Sequence, residues 1–332
     1  SILISVGNPP MVTINEPLDG AIYAVGESIS LNATVSDSDE PVNQVSIVWT
    51  SDMDGELFSG NPNAQGVSQF VRSDLTAGVH ALTASATDST GLMSDDLVSF
   101  RVNTLPVVDS IVLSPDPLYS IDTLTAAVTF SDVDGQTVTG TYAWYEDGTL
   151  TAFTGGNINA SELDVGEVWT VRVTPNDGYH DGDYLEQSIT VSNTAPTVSS
   201  VSIAPGTGLY NDTVVTCTAT ATDIDQTVTP VYTWDVNGST YTGATLDLST
   251  TGVMPNDTVM CTATVTDNQG ASASDSASAT VENRAPALGA VSIAPNTGVL
   301  TNSSLTCTSS VTDVDGETPT ITYEWTVNGS SI

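Results

Sequence analysis

The sequence predicts an all-β protein, built as a tandem array of small two-sheet sandwiches of about seven strands each. Three observations predict it: strands that alternate apolar and polar residues, an asparagine-to-proline punctuation that recurs along the chain, and an internal pattern copied in each repeat. The stretch from Thr213 to Val281 shows that pattern best. In VVTCTATATD, Val215, Cys217, Ala219 and Ala221 alternate with threonines until the run stops at Asp223, the period of a half-buried antiparallel strand. In VYTWDVNG, Tyr232, Trp234 and Val236 share one face and Asn237-Gly238 supplies a hairpin turn. VMCTATVTDNQG places Val259, Cys261, Ala263 and Val265 inward and stops at Asp267, and ASATVEN points Ala277, Ala279 and Val281 one way.

The punctuation divides the chain. GNPP (7–10), NTLP (103–106), NTAP (193–196) and NRAP (283–286) read as linkers, and Pro106, Pro196 and Pro286 lie 90 residues apart, with Pro10 a further 96 before Pro106. That period is too long for a solenoid and suits a string of sandwiches, with proline keeping each junction extended. The expected domains are 8–104, 105–194, 195–284 and an incomplete repeat over 285–332, with 1–7 as the last strand of a preceding repeat, carried by Ile2, Ile4 and Val6. The chain therefore reads as a window from a longer array; a fibre subunit completed by a neighbour's strands is the second reading.

Every repeat carries the same ruler. A strand ends at Asp37, Asp132, Asp223 or Asp313, and a tryptophan follows 11 or 12 residues later at Trp49, Trp144, Trp234 or Trp325. A later strand ends at Asp88, Asp177 or Asp267. The order Cys217, Trp234, Cys261 resembles that of an immunoglobulin-type sandwich, with cysteines on the second and sixth strands. The resemblance implies a Cys217–Cys261 disulfide, worth roughly 4 kcal/mol on the chain-entropy model, and an oxidising compartment; two buried free thiols are the alternative. Leu31 with Leu82, and Ala126 with Val171, stand at the paired positions of the first two repeats, while Cys307 would pair beyond residue 332.

Composition sets the bounds. The chain has 332 residues, 39% of them apolar and only 6% aromatic, which suits thin sandwiches better than one large core. No apolar run approaches the roughly 20 residues of a membrane span. Forty acidic residues face four basic ones (Arg72, Arg101, Arg172 and Arg284), for a net charge of −36. Such a surface repels nucleic acid and acidic lipid, and it points to a saline or calcium-containing medium outside the cell.

Acidic loops follow the second strand at SDSDE (36–40), SDVDGQ (131–136), TDIDQ (222–226) and TDVDGE (312–317), and the sixth at TDSTG (87–91), NDGYHDGD (176–183) and TDNQG (266–270). In a Greek-key sandwich both loops lie at the end beside the incoming linker, and the preceding domain adds Asp74, Glu162 with Asp164, or Asp257. Together with YxWxxNG at 232–238 and the NTAP linker, these loops resemble bacterial and archaeal extracellular repeats of the PKD and cadherin-like kinds. The cadherin-like resemblance implies calcium, which takes six to eight oxygens, at the junctions. One set would be Asp132, Asp134 and Asp177 with Asp74; another Asp223, Asp225 and Asp267 with Glu162 or Asp164; the equivalents are Asp37, Asp39 and Asp88, Asp257, and Asp313 with Asp315. The PKD resemblance implies only turns, which Asp and Gly form by themselves.

Seven N-x-S/T sequons, at Asn32, Asn159, Asn211, Asn237, Asn256, Asn302 and Asn328, are candidate glycosylation sites. Catalysis finds little: His80 reads as a solvent-edge residue, His180 sits in an acidic loop where a metal role is open, and there is no phosphate loop, zinc spacing or basic patch. A paired-aspartate motif in at least four copies suits a structural device better than an active site. The expected function is a non-catalytic rod, stalk or filament segment of an extracellular surface or adhesion protein, partnered by other surface or matrix proteins or by its own copies. The alternatives are an array that binds glycans or partners, with the Phe58-to-Asn63 turn or the 176–183 loop as contacts, and an accessory region of a secreted hydrolase.

Overall fold

A computed structural model describes residues 7–332, so the strand expected at Ile2, Ile4 and Val6 lies outside the described residues. Among them the chain forms strands, turns and three single 3-10 turns, with no α-helix. It divides into two compact units, Ser1–Ser192 and Asn193–Ile332.

The first unit begins with β1 (Met11–Glu16), β2 (Ile22–Ala24), β3 (Ile29–Ser36), β4 (Ser46–Ser51), β5 (Gly55–Gly60), β6 (Val67–Arg72), β7 (Gly78–Thr87) and β8 (Met93–Asn103). They make a three-stranded sheet β1-β3-β6 and a five-stranded sheet β2-β8-β7-β4-β5. The inner faces hold Leu31, Ile47, Trp49, Leu82 and Phe100, all buried. The same architecture follows in β9 (Val107–Ser114), β10 (Leu118–Tyr119), β11 (Leu124–Ser131), β12 (Thr139–Glu146), β13 (Thr149–Leu150), β14 (Asn157–Ile158), β15 (Val168–Asn176) and β16 (Leu185–Ser192). Its sheets are β14-β11-β9 and β10-β16-β15-β12-β13, closed over Trp144, Trp169 and Val171. Each of these two repeats has eight strands, in line with the expected number of about seven. Proline has no N–H for the ladder, so the first strand stops before Pro17 or Pro115, and the chain re-enters the other sheet parallel to the last strand.

The second unit holds β17 (Thr197–Ala204), β18 (Val214–Thr222), β19 (Val231–Val236), β20 (Ser239–Thr242), β21 (Thr245–Asp247), β22 (Thr258–Thr266) and β23 (Ser272–Thr280), in sheets β17-β18-β21 and β20-β19-β22-β23. The hairpin turns at Asn237 and Gly238 with φ of 52° and 80°, the paired left-handed residues that a two-residue hairpin requires. Cys217 and Cys261 are joined, with Cα atoms 6.4 Å apart, inside the spacing a disulfide spans. Residues 285–332 form only short paired strands: β24 (Ala287–Leu288) with β27 (Val311–Thr312), β25 (Ser292–Ala294) with β26 (Thr306–Thr308), and β28 (Thr326–Val327) with β29 (Ser330–Ser331). Cys307 is a free, half-buried thiol.

In all three complete repeats the strand that ends at the first loop aspartate (β3, β11 or β18) sits mid-sheet in one layer, while β4 with β7, β12 with β15 and β19 with β22 pair in the other. This is the strand order of an immunoglobulin-like sandwich. The chain is a tandem series of such domains.

The first repeat departs from the others in register, and one expectation for it fails. Trp144 pairs with Val171 and Trp234 with Cys261, but Trp49 pairs with Ala84 while Leu82 faces Ser51. The ruler slips by two residues there. A strand's side chains alternate with period two, so an even slip keeps Trp49 on the buried face. The failed expectation is His80, which is fully buried rather than at a solvent edge. It stands eight residues before Asp88, as Trp169 and Val259 stand before Asp177 and Asp267, and these are core positions. Its Nε2–H donates to the Thr76 carbonyl at 2.6 Å, leaving Nδ1 to accept the Ser51 hydroxyl at 2.8 Å, and its ring stacks on Phe100 at 5.0 Å. A satisfied imidazole replaces an apolar side chain.

Candidate functional site

The acidic loops meet the linkers, and the chemistry begins with a local turn. The first aspartate of each loop accepts a backbone N–H from within the loop: Asp37 from Asp39 at 2.6 Å, Asp132 from Gln136 at 3.3 Å, Asp223 from Asp225 at 2.8 Å and Asp313 from Asp315 at 2.8 Å. Short acidic side chains form such turns readily. The turn presents the second aspartate to the linker.

That second carboxylate takes the linker's backbone. Thr104 N–H donates to Asp134 Oδ2 at 2.8 Å, Thr194 to Asp225 at 2.6 Å and Arg284 to Asp315 at 2.6 Å. Asn8 N–H makes the same bond to Asp39. In each case the donor lies two residues before the linker proline. The residue before the donor adds a second tie: Asn103 Nδ2 donates to Asp177 Oδ2 at 2.7 Å, and Asn193 Nδ2 to Asp267 Oδ2 at 2.8 Å. The other oxygen of each loop aspartate is held from within, Asp177 by Tyr179 and His180, and Asp267 by Ala271. Two consecutive linker residues thus engage two carboxylates of the following sandwich.

The joints differ in detail. Asn103 is fully buried; its Nδ2 also reaches the Thr104 carbonyl at 2.8 Å and its Oδ1 accepts Gln136 Nε2 at 2.9 Å. Gly182 lies so close to the linker that a Cβ there would meet the Pro106 carbonyl oxygen at 1.9 Å, so only glycine fits. At the next linker Gln226 turns to Gln269 instead. Arg284 brings a side chain to its clamp. It binds Asp315 at 2.7 Å and Asp212 at 3.1 Å, donates to Asn211 at 3.1 Å and lies 4.6 Å over the Tyr210 ring.

Hydrogen bonds to the ionised form depress a carboxyl's pKa, and five aspartates of these loops are depressed. The Asn8 N–H lowers Asp39, and the Asn193 amide lowers Asp267. Burial pulls Asp177 upward, but the bonds from Asn103, His180 and Tyr179 outweigh it. Burial also raises Asp88 and Asp315, and is outweighed by backbone donors of Leu92 and Thr90 in one and by Arg284 in the other.

The remaining candidate metal ligands are engaged nearer home. Asp74 is bound by Arg72 at 2.7 Å, Glu162 accepts the Ser161 hydroxyl and Asp257 accepts Asn237 and Met254, while Asp164 is tied to Glu167 through its backbone N–H. Among the described residues no group of three or more His, Cys, Asp and Glu is arranged to hold a metal ion. The joint at 103–106 nevertheless contains buried oxygens without a hydrogen-bond partner among the described residues: Asp132 Oδ2, Gln136 Oε1 and Thr104 Oγ1. Asp223 Oδ2 and Asn193 Oδ1 are the equivalents at the next linker, and Asp37 Oδ2 at the first. Oxygens of this kind suit a hard cation or water.

Of the sequons, Asn159, Asn237, Asn256, Asn302 and Asn328 are exposed, while Asn211 is committed to Arg284 and to the Asp315 carbonyl. His180 Nδ1 lies 3.3 Å from Asn103 Nδ2. Sequence reasoning saw the linkers as punctuation and missed Asn103, Thr104, Asn193, Thr194 and Arg284 as partners of the acids. Their fixed offset from each proline was the available signal.

No family model matches the chain, and no curated protein does. Among solved structures, fibronectin(III)-like modules of Clostridium thermocellum CbhA are 20% identical over 55% of this chain and 94% of that one, with a TM-score of 0.29. A 1.5-MDa bacterial ice-binding adhesin is 16% identical over 83% and 99%, at a TM-score of 0.33. Sidekick-1 immunoglobulin domains 1-5 are 16% identical over 84% and 60%, at 0.36. The architecture given above rests on this chain's own strand order.

Proposed function

We infer that the chain is a non-catalytic spacer segment of an extracellular surface or adhesion protein, whose work is to hold successive immunoglobulin-like domains in a set order and orientation. The single observation behind this reading is the repeated clamp, in which a linker N–H two residues before each proline donates to the second loop aspartate. A device repeated at each linker serves mechanics; a catalytic centre needs one copy. The Cys217–Cys261 disulfide fits an oxidising compartment. The partners would be other surface or matrix proteins or further copies of the chain, and the exposed sequons would carry glycan in a source that glycosylates asparagine. Asp134→Ala tests the clamp. Small-angle scattering of the whole chain should show a broader distribution of interatomic distances for the variant than for the parent, and identical curves would sink the reading.

Calcium is the second reading, favoured by the unpartnered oxygens of Asp132, Gln136 and Thr104. Those residues would hold the ion, which would offset the mutual repulsion of the loop acids. Ligand binding stabilises by about 2.7 kcal/mol at a hundredfold excess over Kd, so calcium should raise the melting temperature and chelator should reverse it. A melting curve indifferent to both removes the metal.

A further inference from the structure

The first repeat carries a feature that the others lack. Thirty-five residues separate Trp49 from its paired Ala84, against 27 between Trp144 and Val171 and 27 between Trp234 and Cys261. The surplus lies in β5, β6 and the loop 61–66 between them. There β5 runs six residues, where the corresponding β13 and β20 run two and four. β5 and β6 are edge strands of opposite sheets, so the added chain spans the open flank of the sandwich. It builds a cleft of about 400 Å³ walled by Phe58, Asn61, Asn63, Val67, Ser68 and Gln69, within the roughly 300–1,000 Å³ typical of small-molecule sites.

We propose that this cleft binds a neutral saccharide, the Phe58 ring receiving a sugar face while Asn63 and Gln69 read its hydroxyls. The ring is held in advance. Phe58 stacks on Phe70 at 5.0 Å and 22°, and Phe70 meets Trp49 edge-on at 5.6 Å. A Cβ on Gly60 would come within 2.8 Å of the Phe58 ring, so glycine at 60 lets the ring lie where it does. The polar groups are partly fixed and partly spare. Asn63 Oδ1 accepts the Gln65 and Val67 N–H groups, which orients its Nδ2 donor and leaves it available. Ser68, 3% exposed, accepts the Trp49 indole N–H at 3.1 Å and so fixes the floor of the cleft from the core side. Gln69 is exposed, with both a donor and an acceptor to offer. Ring face and amides match the mixed apolar and hydroxylated surface of a sugar. The wall contains no charged residue although the chain carries 40 acids, which leaves a neutral ligand unrepelled and gives a cation no counter-charge. The site goes beyond the spacer reading, which stands or falls separately on the linker clamps.

Saturation-transfer NMR on the whole chain tests it, with glucose, galactose, mannose, N-acetylglucosamine and their β-1,4 oligomers as probes. The expected result is saturable transfer from at least one probe at concentrations up to about 10 mM, tenfold above a weak Kd of about 1 mM. Gln69→Ala, an exposed change that spares the core, should weaken it about tenfold, and Phe58→Leu should abolish it. No saturable transfer across the panel overturns the proposal, as does binding that Gln69→Ala leaves unchanged.

Discussion

Asn103 is a fully buried side chain whose hydrogen bonds to Asp177, the Thr104 carbonyl and Gln136 all serve one joint. Asn103→Asp would set a second carboxylate at the 2.7 Å spacing now held by the amide. Two carboxylates so close cannot both ionise cheaply. The variant should therefore melt below the parent at pH 7 in thermal denaturation, with the deficit shrinking toward about pH 5 as one carboxyl takes up a proton; a pH-independent deficit contradicts the geometry. The parent chain has its own acid dependence. Asp39, Asp88, Asp177, Asp267 and Asp315 are depressed in the fold, so the unfolded chain binds the more protons as pH falls. Their contribution is complete above the ordinary aspartate value of about 3.9 and is lost as pH drops below it toward the depressed values. Denaturant midpoints should hold steady from pH 7 to about 5 and fall below about 4.

At the scale of elements, the strands were legible because alternation and turn residues are local properties. Asn237-Gly238 marks its hairpin unaided. Register was less legible, since it depends on what a long connection allows: with added residues between β4 and β7, Trp49 pairs with Ala84, two residues along from Leu82, without leaving the core. The core of the third repeat is cross-linked where the first two have Leu31 with Leu82 and Ala126 with Val171. The bridge closes a separation of 44 residues, worth about 4 kcal/mol on the chain-entropy model. The double substitution Cys217→Ala and Cys261→Ala should lower the urea midpoint of one unfolding transition, with those of the first two repeats unmoved. A uniform shift of every transition would show that the domains do not unfold independently.

At the scale of the whole chain, charge is the dominant fact. The four arginines have partners: Arg72 holds Asp74, Arg101 lies 5.7 Å from the Tyr179 ring, Arg172 pairs with Glu186 between Tyr145 and Tyr184, and Arg284 clamps Asp315. They leave a net charge of −36. Screening lengths shorten from about 30 Å at 0.01 M salt to about 10 Å at 0.1 M. Melting temperature should therefore rise with sodium chloride over that range, as inter-carboxylate repulsion is screened more than the short clamp bonds. A fall would mean that attractive pairs outweigh the repulsion.

By itself the sequence determined the class and the repetition: period-two strands, turn dipeptides, linker prolines and the cysteine–tryptophan–cysteine order depend on neighbours a few residues apart, or on spacings that repeat. Only the tertiary structure decided what the acids bind. A carboxylate on a turn can meet a cation, water or an N–H, and the choice depends on which backbone the fold carries past it. Here Thr104, Thr194 and Arg284 are delivered to the loop aspartates from 30 or so residues away. The burial of His80 was decided in the same way, because a polar side chain enters a core only where Ser51 and Thr76 arrive to satisfy it.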